Sequence, residues 1–158
     1  MAPSFTLETT AALLGLASID GPVRSTPLSG VRARLGFPSP ADDFLDDGVD
    51  LHRLLVRTPA ATYLYRADGW SMLGAGISDG DILVVDRSVR PVSGDLVIAV
   101  WDGNQPTCKV LKLFEHHIEL YSANPDFPPI VLTPGTEVEV FAVVGVARQI
   151  KSGARRQR

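Results

Sequence analysis

The chain is poor in the residues that would give it a quick chemical identity. It has one cysteine, Cys108, among 158 residues. One thiol cannot build an internal disulfide framework, and no Cys/His spacing of the zinc-binding kind occurs, so neither a disulfide scaffold nor a metal centre is expected. Apolar runs fall short of the roughly 18 residues that a membrane-crossing helix needs. There is no excess of positive charge; the net charge is −3, which excludes the global basic footprint of a stand-alone DNA binder. No basic residue precedes the apolar stretch TAALLGLAS, as a signal peptide would require. These absences fit a reducing, cytoplasmic setting. Hydrophobic residues at 45% and charged residues at 21% exclude a wholly disordered chain and fit one domain with a real core.

Three regions follow from composition. Residues 1–35 hold TAALLGLAS and then DGPVRSTPLSG, and are expected to form an extended, loosely ordered arm with at most a short helical turn. Residues 36–150 open on GFPSPA, whose prolines make a rigid connector. Asp50 is placed to cap a short helix, DLHRLLVRT, with Leu51, Leu54 and Leu55 on one face and Pro59 at its end. From Thr62 onward the chain reads as strands: TYLYRA, DILVVD, DLVIAVW, TCKVLKL, HIELYSA, PIVL and EVEVFAVVGVAR. With so little helix between them, they predict a mainly β, antiparallel domain folded on itself. The last strand is long and apolar and needs cover, which predicts self-association. Residues 151–158, KSGARRQR, form a basic tail with four of the fifteen basic residues. The acidic cluster Asp42, Asp43, Asp46 and Asp47 reads as a solvated face.

Ser71, in Gly69-Trp70-Ser71-Met72, stands at the end of the first of these strands. It is not a hydrolase nucleophile elbow, because Leu73 stands where that motif needs glycine. A nucleophilic serine needs a base. His52, His116 and His117 have no partner that the sequence reveals, and read as surface residues. A lysine is the other solution, provided it is neutral. Its ordinary pKa is about 10.4, and burial among apolar groups moves it down, at about 1.4 kcal/mol for each tenfold change in the ionisation equilibrium. Lys109 and Lys112 are the candidates, both on TCKVLKL. Alternation groups Lys109 with Thr107, Leu111 and Leu113, and Lys112 with Cys108 and Val110. Lys109 shares the larger aliphatic set, but both faces are fairly apolar, so periodicity prefers it only weakly. Cys108, beside them, reads as a small buried hydrophobe.

The stretch GWSMLGAGISDGDILVVDRSVRPVSGDLVIAVWDGNQPTCKVLKL resembles the serine-lysine core of the LexA/UmuD self-cleaving family (peptidase family S24). LGFPSPADDFLDDGVDLHRLLVRTPAATYLYRADGWSM resembles the cleavage-site arm and first strand of its UmuD branch. YSANPDFPPIVL and VEVFAVVGVA resemble its last strands. The likeness runs collinearly from about Leu35 to Ala147. Too few residues precede Gly36 for the helix-turn-helix of the LexA repressors.

The resemblance implies a compact antiparallel β domain of LexA/signal-peptidase-like type with an extended N-terminal arm. It implies Ser71 as nucleophile, Lys109 as general base and Leu35–Gly36 as the bond cut, with no cofactor and no metal. Two positions depart from the family pattern: Trp70 stands where aspartate is common, and Leu35 where a small residue is usual. The resemblance further implies a homodimer, a RecA filament on single-stranded DNA as trigger, and a Y-family DNA polymerase subunit as the partner served after cleavage in translesion synthesis. A non-cleaving accessory module on the same scaffold is the alternative. A signal-peptidase-like processing enzyme would carry a membrane anchor, and the sequence offers none.

Overall fold

The structure, a computed structural model, describes residues 10–16 and 49–150. Eight strands form one antiparallel sheet: β1 (Thr10–Leu16), β2 (Thr62–Asp68), β3 (Ile82–Asp86), β4 (Leu96–Trp101), β5 (Thr107–Leu113), β6 (Ile118–Tyr121), β7 (Ile130–Leu132) and β8 (Val138–Ala147). Their order is β1-β2-β3-β8-β4-β5-β6-β7, and β1 also pairs with β5 through Thr10 and Thr107. Six strands therefore return on themselves in a ring, and the β6–β7 pair extends it beyond β5. The expected antiparallel β domain is what forms, and β2 to β8 fall on the runs of β-branched and aromatic residues that predicted them.

Two turns repeat one device. In Ser78-Asp79-Gly80-Asp81 and Val92-Ser93-Gly94-Asp95, the last aspartate accepts from the N–H three residues earlier, at 2.8 Å in both cases. The glycine before it takes a left-handed conformation, φ +83° at Gly80 and +101° at Gly94, where a side chain would be strained. The aspartate thus closes the turn and starts the strand behind it.

The alternation of β4 and β5 divides the core. Ile98 and Cys108 pack with Ala11, Tyr65, Ala67, Met72, Ile77, Leu83 and Val85. Val97, Ala99 and Leu111 pack on the opposite face with Leu120 and Leu132.

Three expectations change. Residues 10–16 are a strand, where a loose arm with a helical turn was expected; pairing with β2 over residues 63–68 supplies what local propensity does not. The helix is only Leu51–Leu55, capped as foreseen by the Asp50 carboxylate on the His52 and Arg53 amides. It is too short to present one buried face: Leu51 and Leu54 are exposed, and only Leu55 packs, with Val56, Leu64 and Val84. β8 is no edge strand; β3 and β4 flank it on both sides, so its backbone already has its partners. Leu35, Gly36, the acidic cluster and the basic tail lie outside the described residues.

Candidate active site

Ser71 sits in the turn that leaves β2. Gly69 makes the break, with φ +106°, and its N–H donates to the Asp79 carboxylate at 2.9 Å. A short 3-10 turn, Leu73–Ala75, follows, and Gly76 closes it at φ +80°. The result is uneven exposure along three residues. Trp70 is half exposed, while Ser71 and Met72 have no accessible surface. Met72 anchors the turn in the core and carries Ser71 inward with it.

Lys109 lies on β5, opposite Val97 of β4, and is also fully buried. Its Nζ donates to the Ser122 hydroxyl at 2.7 Å and lies 5.8 Å from the centre of the Phe127 ring. Burial of an amine works against its charged form. The hydroxyl and the ring face carry no charge of their own; as acceptor and π face they work the other way, toward the ammonium.

The segment after β6 ties the two residues together. Ser122 holds Lys109. The next residue, Ala123, accepts at its carbonyl from Gly74 N–H at 2.7 Å, and Asn124 Nδ2 donates to the Trp70 carbonyl at 3.3 Å. Asn124 also accepts from the Asp126 N–H at 3.1 Å, turning the chain so that Phe127 comes over Lys109. A Cβ on Gly74 would stand 2.6 Å from the Ala123 carbonyl oxygen, so only glycine permits this approach. Residues 122–124 therefore dock at once on the serine turn and on the lysine strand.

Arg148, just past β8, braces the other side of the turn. Its guanidinium binds both oxygens of the buried Asp81 carboxylate, Nε at 2.6 Å, and donates to the Gly76 carbonyl at 2.7 Å. That hydrogen bond, opposed by burial and helped by the Ser78 N–H, holds the Asp81 carboxyl below its ordinary range.

The other candidates separate cleanly. Lys112 is exposed, with its Nζ 4.6 Å from the centre of the Tyr121 ring, and is not placed to serve a buried serine. Cys108 is buried, and burial pushes its thiol up to about 12 although the neighbouring Lys109 charge acts against this. It is a neutral thiol at ordinary pH, not a nucleophile.

His52 is exposed on the helix, and His116 lies 3.7 Å from Glu115 at the surface. His117 is not simply solvated, as the sequence suggested. It stacks flat on Phe114 at 4.6 Å and contacts the Glu119 carboxylate at 2.8 Å. The Tyr121 hydroxyl and then His117 hold the Glu119 carboxyl below its ordinary range. This cluster borders an open groove of about 260 Å³ between the β5–β6 and β7–β8 turns, and neither Ser71 nor Lys109 lines it. Among the described residues no group of three or more His, Cys, Asp or Glu could hold a metal ion, and no helix is long and apolar enough to cross a membrane.

Sequence reasoning missed Ser122, Gly74, Asn124 and the Asp81–Arg148 pair. The segment YSANPDF was noticed for its likeness, but a serine or an asparagine in a turn has no local mark of what it touches.

Fold and site together define an antiparallel β domain with a buried serine in a turn and a buried lysine on a strand, joined through one docking segment. The Peptidase S24-like family model matches residues 27–145. SamA of Salmonella typhimurium is 44% identical over 133 residues, covering 84% of this chain and 91% of that protein. MucA of Escherichia coli is 42% identical over 123 residues, 77% of this chain and 83% of that one. A LexA repressor of Stenotrophomonas maltophilia is 38% identical over 109 residues, 69% of this chain and 51% of that one. The chain belongs to the S24 family of self-cleaving serine peptidases, in its LexA/UmuD type.

Proposed function

We propose that Ser71 and Lys109 form a serine-lysine dyad that cuts the chain's own Leu35–Gly36 bond. The observation that carries this is the complete burial of both residues around one segment, with the Lys109 amine held on the Ser122 hydroxyl. Neutral Lys109 takes the proton of Ser71. The serine oxygen attacks the Leu35 carbonyl carbon, and the proton passes to the Gly36 nitrogen as that bond breaks. Water then hydrolyses the Leu35 ester and frees the serine. Backbone N–H groups of the turn would hold the oxyanion. Glycine after the bond lets the arm bend close to the site, and the tether gives the bond a high effective concentration.

The family role supports the rest of the reading. The protein acts in the DNA-damage (SOS) response of the cytoplasm, as a homodimer. Docking on a RecA filament on single-stranded DNA stimulates the cut, and the shortened form serves a Y-family polymerase in error-prone translesion synthesis.

The test is intact mass after incubation at pH values from about 7 to 10, with and without filament. Cleavage is expected to rise with pH and then flatten once Lys109 is fully neutral. A hydroxide artefact would keep rising. Ser71→Ala and Lys109→Ala should each abolish fragments 1–35 and 36–158, while Lys112→Ala and Cys108→Ser should retain them. Persistence of cutting in Ser71→Ala, or a new N-terminus other than Gly36, rejects the assignment. The exposed Trp70 indole beside Ser71 gives a second reading its one support: a non-cleaving accessory module, which an uncut chain under every condition would favour.

A further inference from the structure

Among the described residues, the six-strand ring closes through β1 alone. β1 pairs with β2 from Thr10–Asp68 to Leu16–Tyr63, and at its start it reaches β5 through Thr10–Thr107 and a bond of 2.8 Å from Ala11 N–H to the Pro106 carbonyl. Ala11 is 4% exposed and packs with Tyr65, Ala67 and Cys108. β1 thus fills the seam between the strand that leads into Ser71 and the strand that carries Lys109. Without it, β2 and β5 would both present unpaired backbone at that seam, a ready template for an added strand. β1 also lies ahead of residue 27, where the family match begins.

We infer that the β2–β5 seam is a strand-binding site, and that the arm severed at Leu35–Gly36 stays seated there as a separate peptide. The severing itself rests on the function proposed above; the seat does not. The cut breaks one peptide bond beyond β1 and none of the described bonds that hold β1 to β2 and β5. What the seam accepts is an extended, uncharged peptide with a small residue at the position of Ala11, because a larger or charged side chain there would enter the core. Its natural occupant is Thr10–Leu16 of this chain. Cleavage then leaves a nicked complex, and a second event, exchange of the strand, is needed to open the ring.

The experiment nicks the full chain in two ways. One sample cleaves itself at high pH. The other carries a recognition site for a sequence-specific endoprotease inserted after Ser29 and is cut by that protease. Each is passed through native gel filtration and the peak is analysed by denaturing mass spectrometry. The N-terminal piece should co-elute with the body in both. Excess synthetic peptide of residues 9–17 should displace it, and a scrambled peptide should not. Ala11→Asp, which sets a charge in the core, should speed release roughly tenfold or more.

If only the self-cleaved sample fails to appear, the proposed function has failed and the protease-cut sample still decides this inference. A piece that elutes alone after protease cutting overturns it. So does a piece retained equally against both peptides, which needs no variant to fold.

Discussion

At the scale of single residues, Ser122 is what the structure adds to a site otherwise suggested by the sequence. Strand alternation prefers Lys109 to Lys112 only weakly; burial decides, because one is enclosed and the other lies out on Tyr121. No pattern marked Ser122, since its importance is a contact with a residue thirteen positions away. Ser122 acts through Lys109 as a positioning residue: it holds the amine. In Ser122→Ala the amine loses an acceptor that favours its ammonium form. The midpoint of the pH–cleavage profile should move to lower pH while the plateau rate falls roughly tenfold or more, from the amine's lost orientation. Ser122→Thr should restore both. A residue of purely structural importance would lower the amount of folded protein and leave the midpoint where it was.

At the scale of elements, the seven strands from β2 onward were legible because each is a short run of β-branched and aromatic side chains between Gly, Pro, Asn or Asp. β1 was not. TAALLGL contains one β-branched residue and reads equally as the start of a helix; it is a strand because β2 and β5 offer it a seam, and that information sits some fifty to ninety-five residues away. The helix failed in the opposite direction. Its cap was correctly read from Asp50, but its apolar spacing promised a face that only Leu55 uses. The docking of the serine turn on residues 122–124 is likewise invisible in sequence, although its signature is a glycine. Gly74→Ala would push a methyl against the Ala123 carbonyl, which is backbone and cannot swing aside. The expected cost is about 1–3 kcal/mol of stability, read by urea unfolding, together with a loss of cleavage rate at unchanged pH midpoint. Separation of those two readouts distinguishes this variant from Ser122→Ala.

At the scale of the whole molecule, the chain from Gly76 to Arg148 closes on itself through one buried carboxylate. Asp81 is 1% exposed, opens β3, and accepts from Ser78 on its own turn and from Arg148 at the end of β8. The brace therefore joins the serine turn to the last strand of the ring. The same side chain that starts a strand, a local role that Gly80-Asp81 announced in sequence, also carries a long-range ion pair that nothing local announced. Its pH consequence has a definite sign. Arg148 holds the Asp81 carboxyl below its ordinary value, and Asp86 is also low: burial pushes it up, but the Ser88 hydroxyl and N–H and the Thr58 hydroxyl outweigh that. Groups of this kind contribute stability that is complete above the unfolded carboxyl pKa of about 3.9 and is lost as pH falls through the lower folded values. Thermal unfolding should therefore be nearly independent of these groups between about pH 5 and 7, and should decline below about pH 4. Arg148→Met makes the origin testable. At pH 7 it leaves Asp81 buried and charged without its partner, and the melting temperature should fall by several degrees. As pH falls, Asp81 is protonated first in the variant and in the parent only once pH passes below its lowered folded value, so the gap between their melting curves should narrow progressively toward acid pH. A gap that stays constant from neutral to acid pH would mean that Arg148 acts through packing alone, and that the ion pair does not brace the serine turn.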